Sequence, residues 1–177
     1  MTDTKQYSRL VDIIKRLRAE DGCPWDREQT HGSLKKGCIE EAAELVCGIN
    51  IYEKCGNADN LKEELGDLLL QVVMQAQIAE EEGLFNMSDV CKGIADKMVR
   101  RHPHVFGDTV VSDSGEVLRN WEEIKNKEHS ADEIDINEYL FDAFDESKEL
   151  IDLAINRKKA KLAQKGGIIS EDHRQDT

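Results

Sequence analysis

Proline, aromatic residues and long apolar runs are scarce in this sequence. It has two prolines and 5% aromatic residues among 177 residues, and its runs of β-branched residues are short. These shortages favour an all-α fold. No apolar run reaches the roughly 18 residues that a membrane span needs, and the polar, charged residues 1–20 do not resemble a signal peptide. We therefore expect a cytoplasmic helical protein with no membrane partner.

Basic residues and paired cysteine motifs are also scarce. The chain has 24 Lys and Arg against 37 Asp and Glu, a formal net charge of −13, so we expect no nucleic-acid polymer as a partner. This charge does not exclude a nucleotide, because bound cations and a local basic patch reverse the sign within one cleft. Its five cysteines are odd in number and lack CxxC spacing; we interpret them as free thiols.

Apolar residues recur at helical spacing along most of the chain and predict a series of amphipathic helices. In the third predicted helix, the central residues 68–76 are apolar on nearly all faces of the helix. In so small a chain this pattern suggests a covering partner subunit, hence a homodimer or higher homo-oligomer. The expected domain covers residues 1–128, followed by a helical extension, 129–165, and a disordered tail, 166–177. Helices are predicted at 4–20, 33–54, 61–82 and 89–101, and from about 113 to 128, with Asn60 and Ser88 as N-caps.

Two of these helices each carry a pair of carboxylates three residues apart: Glu41 with Glu44, and Glu64 with Asp67. Residues i and i+3 lie on one face of a helix, so two facing helices would bring four carboxylates together. Both pairs adjoin apolar sequence, where burial of unpaired carboxylates is costly. A divalent cation removes that cost.

Oxygen ligands without histidine favour Mg²⁺, with Mn²⁺ as a possible substitute. A di-iron carboxylate bundle is the nearest alternative, and it requires a Glu-x-x-His motif on each of two helices. That spacing occurs at Glu28–His31, in a loop that contains Pro24, and in neither carboxylate pair.

Lys97 and Arg101 form a second group, four residues apart on one helix. They are either a surface ion pair with nearby acids or, next to a metal site, ligands for phosphate oxygens. His102 follows, flanking Pro103 with His104, and either shapes the loop or touches the substrate. Trp25 lies in the loop 23–31; its indole either covers the end of the helical bundle or stacks on a nucleotide base.

Seven segments in their order along the chain resemble the MazG family of nucleoside triphosphate pyrophosphohydrolases. The resemblance covers roughly residues 7–128. Many members of the family carry two such domains, whereas this chain has one. The segments are Cys23-Pro24-Trp25-Asp26, Gln29-Thr30-His31, Glu40-Glu41-Ala42-Ala43-Glu44, Glu64-Leu65-Gly66-Asp67-Leu68-Leu69, Glu80-Glu81-Glu82-Gly83, Arg101-His102-Pro103-His104-Val105-Phe106 and Trp121-Glu122-Glu123-Ile124-Lys125.

The resemblance implies a four-helix-type all-α fold that dimerises through its helices. It also implies Mg²⁺-dependent cleavage of NTPs or dNTPs to the monophosphate and pyrophosphate, in a house-cleaning role or in control of nucleotide pools. The family motifs place the metal ligands at Glu41, Glu44, Glu64 and Asp67, with Glu40 beside them. From its position we expect Glu40 to orient the attacking water. The phosphate-binding and other substrate positions fall on Lys97, Arg101, Trp121 and Lys125.

Two alternatives stay open from the sequence. One is a base-selective all-α pyrophosphatase that acts on dUTP, dCTP or phosphoribosyl-ATP, since such enzymes share this kind of motif. The other is a metal-stabilised helical interaction module without catalysis. The intact set of four carboxylates and two basic residues favours an enzyme over the module.

Overall fold

The computed structural model describes residues 3–129 and 136–172, and the all-α prediction is confirmed, with no strand in these ranges. Residues 23–31 and 102–108, expected as loops, each contain a four-residue helix that begins at a proline, since proline is suited to a first helical turn. The helices are α1 (Asp3–Leu17), α2 (Pro24–Arg27), α3 (Lys35–Cys55), α4 (Asp59–Glu81), α5 (Met87–Arg101), α6 (Pro103–Phe106), α7 (Ser114–His129) and α8 (Ile136–Asp172).

The chain divides into two compact units, and the division falls within α4. Unit 1 comprises residues 1–28 and 73–136; unit 2 comprises residues 29–72 and 137–177. Unit 1 holds most of the buried apolar side chains, and most of these come from residues 73–79 of α4, which begin inside the segment 68–76 that the sequence predicts to be apolar on nearly all faces. Its fully or largely buried apolar residues are Ile14, Val73, Met74, Ala76, Ile78 and Ala79.

The N-terminal end of α5 lies at Asn86, two residues before the predicted cap Ser88. The Asn86 side-chain oxygen accepts hydrogen bonds from the backbone N–H groups of Ser88 and Asp89, and the Asp89 carboxylate accepts one from the Asn86 N–H. This reciprocal capping box satisfies N–H groups that a helix start leaves unpaired. The prediction of Ser88 was therefore wrong.

The prediction of Asn60 as the N-cap of α4 was also wrong. The Asn57 side chain instead accepts a hydrogen bond from the Asp59 N–H, at 2.8 Å, so that α4 begins at Asp59. Asn60 lies inside the first turn, and its amide donates to the Glu64 carboxylate one turn later. This side chain therefore contributes to the environment of a predicted metal ligand instead of to a helix cap.

Unit 2 is organised by the antiparallel hairpin of α3 and the first half of α4. Gly56 ends α3 with φ +71°, a left-handed conformation that favours glycine. Two further glycines permit close helix contact: a Cβ on Gly48 would lie 3.0 Å from the Leu61 Cα, and one on Gly37 would lie 2.8 Å from the Gln71 side chain. These contacts flank the carboxylates of both helices and hold them at close range.

The third helix of unit 2 is α8, which is connected to α3 by the ion pair of Lys35 with Glu146, at 2.9 Å. It extends through Asp172, beyond the expected boundary at 165, and residues 173–177 of the predicted tail lie outside the described residues. The basic run at residues 157–161 lies inside α8, more than two turns from either end. Among the described helices, none combines the length and apolar character that crossing a bilayer requires.

Candidate functional site

Three of the four predicted metal ligands meet in unit 2. Carboxylate oxygens of Glu41 on α3 and of Glu64 and Asp67 on α4 all lie within 4.8 Å of one another. Glu64 and Asp67 share one face of α4 because they are three residues apart, and the close packing of α3 and α4 brings Glu41 opposite them. The i, i+3 spacing in the sequence thus predicted the convergence on α4 correctly.

The three carboxylates have unequal environments. Glu64 is buried, with 7% of its surface exposed, and it accepts a hydrogen bond of 2.9 Å from the Asn60 amide. Glu41 and Asp67 have no hydrogen-bond or ion-pair partner within residues 3–129 and 136–172. Burial raises the pKa of Glu41, and the negative charges of Glu44, Asp67 and Glu64 raise it further. The cluster is therefore a place where negative charge is undercompensated.

This donor set suits a hard divalent cation. Octahedral Mg²⁺ binds oxygens at about 2.0–2.1 Å, so opposite ligands are roughly 4 Å apart. The carboxylate oxygens of Glu41, Glu64 and Asp67 lie within 4.8 Å, so a small inward movement of flexible side chains brings all three into range. A bound cation would also relieve the repulsion that raises the pKa of Glu41. The residues present therefore fit a metal ion.

Glu40 and Glu44 have cationic partners on α8. Arg157 contacts Glu40, and the ammonium of Lys158 lies 2.7 Å from a Glu44 carboxylate oxygen. The Arg157 hydrogen bond lowers the pKa of Glu40, with smaller effects from Lys36 and Lys158, and the Glu44 hydrogen bond raises the pKa of Lys158. Glu44 is not part of the three-carboxylate group, so its predicted role as a fourth metal ligand stays a prediction.

Three residues near the carboxylates were not predicted from the sequence: Arg157, Lys158 and Asn60. One signal was present for the first two, since a basic run at 157–161 is unusual in a chain with net charge −13. Their partners are more than a hundred positions away, however, and helical periodicity does not predict such distant pairing. Asn60 was missed because its position near a helix start suggested a cap.

Several predicted substrate residues come together in unit 1. The Arg101 guanidinium is 5.2 Å from the Trp121 ring centroid, and the His102 ring contacts the same indole edge to face at 4.9 Å. Arg101 is buried and donates through Nε and Nη2 to one oxygen of Glu128, at 3.0 and 2.6 Å. Glu128 therefore occupies two of the donors that the prediction assigned to phosphate.

The remaining predicted substrate residues have looser surroundings. Lys97 is half-buried and has no ion-pair or hydrogen-bond partner in the described part of the chain. Lys125 lies 3.7 Å from Glu122, one turn away on α7. Trp25 follows Pro24 in α2 and is 65% exposed. Its exposure agrees with a side chain that covers a ligand better than with one that covers a core; both roles stay predictions.

The family model and the relatives that match this chain all indicate the same protein family. Residues 29–106 match the family model described as the MazG nucleotide pyrophosphohydrolase domain. A nucleoside triphosphate pyrophosphohydrolase of Escherichia coli is 48% identical over 126 residues, 71% of this chain and 46% of that protein. The nucleoside triphosphate pyrophosphohydrolase/pyrophosphatase MazG of Thermotoga maritima is 51% identical over 122 residues, 69% of this chain and 45% of that protein.

A third relative matches nearly the whole chain. The nucleoside triphosphate pyrophosphohydrolase of Mycobacterium tuberculosis is 33% identical over 169 residues, 94% of this chain and 48% of that protein. This chain thus spans about half the length, or less, of the curated relatives it matches. The longer match of the mycobacterial protein extends the similarity beyond residues 29–106 toward α8.

Proposed function

Because this chain belongs to the MazG family through residues 29–106, we propose that it hydrolyses nucleoside triphosphates to the monophosphate and pyrophosphate. The single observation that carries this proposal is the group Glu41, Glu64 and Asp67, whose oxygens lie within 4.8 Å of one another on two closely packed helices. The names of the Escherichia coli and Thermotoga maritima relatives support the same reaction. Since nucleoside triphosphates are cytoplasmic metabolites, the proposal also places the protein in the cytoplasm.

The proposed cofactor is Mg²⁺, with Mn²⁺ as a substitute, held by Glu41, Glu64 and Asp67 and joined by Glu44. When bound, the cation supplies charge neutralisation on the phosphate oxygens and on the leaving pyrophosphate. These ligands are all carboxylate oxygens, with no histidine among them, and hard cations such as Mg²⁺ prefer oxygen ligands. Glu44 would leave its contact with Lys158 to complete this set.

Glu40 is the proposed group that orients the attacking water. The Arg157 hydrogen bond lowers the pKa of Glu40, so its carboxylate is ionised at neutral pH and accepts a hydrogen bond from a water molecule. The proposed phosphate ligands are Lys97, whose ammonium is a compact positive charge, and Arg101, whose planar guanidinium donates hydrogen bonds in a fork. Trp121 and Lys125 are proposed substrate contacts that a family motif assigns. Trp25, whose indole is able to stack on a base, and His102, beside Pro103, are two further proposed contacts.

The test is pyrophosphate release from a panel of NTPs and dNTPs with Mg²⁺ and, in parallel, with EDTA. We expect metal-dependent release of pyrophosphate and formation of the monophosphate, both abolished by the chelator. Turnover of one base alone would identify a base-selective enzyme acting on dUTP, dCTP or another single substrate. Retention of the metal without turnover of any nucleotide would contradict the proposal and favour a non-catalytic interaction module.

We also propose a homodimer, in which a second copy covers an apolar stripe of α4. Leu65, Leu69 and Val72 are spaced along one side of this helix, and they are 52%, 39% and 40% exposed in the single chain. Exposed apolar side chains at this spacing are typical of helix–helix interfaces. Sedimentation at micromolar concentration should give twice the 20.1 kDa chain mass, and Leu69→Glu should give the monomer. A wild-type protein that sediments as a monomer would contradict this assignment.

A further inference from the structure

A cavity of about 310 Å³ lies beside the carboxylates in unit 2, between α3, the start of α4 and α8. Its volume is at the lower end of the roughly 300–1,000 Å³ found for small-molecule sites. Apolar and polar side chains both line it, and the polar ones are Glu40, Glu44, Asn60, Glu64 and Lys158. The apolar lining residues are Ile39, Ala43, Cys47, Ile151, Ala154 and Ile155.

Helix α8 contributes both apolar side chains and a charged side chain to the lining of this cavity, and all of them lie on one face of the helix. Ile151, Ala154, Ile155 and Lys158 follow the i, i+3, i+4, i+7 spacing that aligns side chains along a helix. Since α8 begins at Ile136, all four residues lie outside residues 29–106, where the family model matches. The matched domain therefore supplies one wall of the cavity and the C-terminal helix supplies the other.

A cavity that combines apolar side chains with an ammonium group and with carboxylates of the proposed metal site is complementary to a nucleotide. A base presents flat apolar faces, while its triphosphate carries several negative charges that must lie beside the metal. Glu64 lines the cavity and belongs to the carboxylate group, so the cavity adjoins the proposed metal site. A mostly apolar lining with a few polar groups is the usual form of small-molecule sites.

We propose that α8 forms part of the nucleotide site: Ala154 and Ile155 pack against the base, and Lys158 binds the triphosphate. The assignment rests on the proposed function and adds specificity-determining residues to it. In the free protein Lys158 is paired with Glu44 at 2.7 Å. If Glu44 joins the metal ligands when nucleotide binds, the Lys158 ammonium would be free to neutralise phosphate oxygens beside this acidic surface.

The base contact is tested by Ala154→Leu, which fills the cavity without changing charge. We expect the KM for nucleoside triphosphates to rise about tenfold or more, as overpacking costs predict. Inhibition by inorganic triphosphate with Mg²⁺ should keep its inhibition constant, because this probe has no base. The matched control is Ala160→Leu, at an exposed position of the same helix, with an unchanged KM. Equal KM values for the two variants would overturn the base assignment.

The phosphate contact is tested by Lys158→Ala against Lys159→Ala, its exposed neighbour on α8. Loss of one charge-assisted hydrogen bond should weaken both nucleotide binding and inhibition by inorganic triphosphate by roughly 10–100-fold, and Lys159→Ala should leave both unchanged. Higher activity of Lys158→Ala than of wild type would overturn the assignment, because it would identify the Lys158–Glu44 pair as an inhibitory contact.

Failure of this inference differs from failure of the proposed function. Wild-type turnover in the pyrophosphate assay supports the reaction whatever the variants do, and unchanged kinetics in both α8 variants would then reject α8 alone. If wild type turns over no nucleotide, the proposed function fails. In that case, calorimetric binding of a nonhydrolysable nucleotide with Mg²⁺ to the full chain tests α8 separately. Loss of its affinity in Ala154→Leu supports the site, and unchanged affinity overturns it.

Discussion

Glu41→Gln is expected to reduce metal-dependent pyrophosphate release by about a thousandfold or more, the scale of losing a principal electrostatic contribution in catalysis. The amide replaces a carboxylate that lies within 4.8 Å of the oxygens of Glu64 and Asp67. It is nearly isosteric, so the fold should be retained. The loss is measured as kcat/KM with Mg²⁺ and with Mn²⁺, alongside the Mn²⁺ dissociation constant, which should rise in parallel.

The same substitution should stabilise the metal-free protein at neutral pH. Burial and the neighbouring carboxylates raise the pKa of Glu41, so the native state binds its proton more tightly than the unfolded state does. This contribution favours the folded state below the ordinary glutamate pKa and is lost as pH rises through the raised pKa. The gain in Tm should therefore be absent in acid and grow toward neutral pH, at about 2–4 °C for each kcal/mol of repulsion relieved.

Glu53→Gln is the matched control, because Glu53 is exposed on the same helix away from the carboxylate group. Its activity and its metal-free Tm should stay close to those of wild type at all pH values. Adding Mn²⁺ should raise the Tm of wild type and of Glu53→Gln, but not that of Glu41→Gln. Full activity in Glu41→Gln would remove Glu41 from the proposed metal site.

Glu128→Gln is expected to lower Tm by about 5 °C or more, the second large effect. Arg101 is buried, and two of its nitrogens donate to one Glu128 oxygen, at 3.0 and 2.6 Å. Substitution by the neutral amide leaves the guanidinium without its countercharge. Such an unpaired buried charge costs more than the pair itself contributes. Thermal unfolding at neutral pH, with Glu123→Gln on the exposed face of α7 as control, measures the effect.

The pH dependence and a double variant separate this explanation from general disruption of α7. The Arg101 hydrogen bond lowers the pKa of Glu128, so its stabilisation is present above the ordinary glutamate pKa and is lost as pH falls through the lowered value. The Tm difference should therefore disappear in strong acid. Adding Arg101→Met to Glu128→Gln should restore part of the lost Tm, since no buried unpaired charge then remains; Arg100, which also pairs with Glu128 at 3.1 Å, is exposed to solvent. A double variant less stable than Glu128→Gln would contradict the mechanism.

Local spacing in the sequence was sufficient to predict much of the fold and part of the carboxylate group. Apolar periodicity was sufficient to predict α1, α3, α4, α5 and α7, because each has an apolar stripe that must be covered or paired. The i, i+3 spacing of Glu64 and Asp67 was sufficient for their shared face, since helical geometry is local. The ordered motifs were sufficient for the family, which the match over residues 29–106 confirms.

The sequence did not determine which of two neighbouring polar residues caps a helix. Two residues near the start of α5, Asn86 and Ser88, are both able to cap a helix, and only the backbone course decides that Asn86 does so. Asn60 likewise donates to Glu64 instead of capping α4. Such choices differ by small free energies, typically about 1 kcal/mol for a cap, so residue preference alone does not decide them.

The sequence by itself determined an all-α chain, the acidic pairs on two of its helices and membership of the MazG family, because these depend on spacing along the chain. The tertiary structure alone decided the partners of those acids. It brings the carboxylates of Glu41, Glu64 and Asp67 together. It also pairs Glu40 with Arg157 and Glu44 with Lys158, both on α8. These ion pairs join residues that are more than a hundred positions apart in the sequence. The periodicity of one helix does not indicate which distant basic residue will pair with its carboxylates.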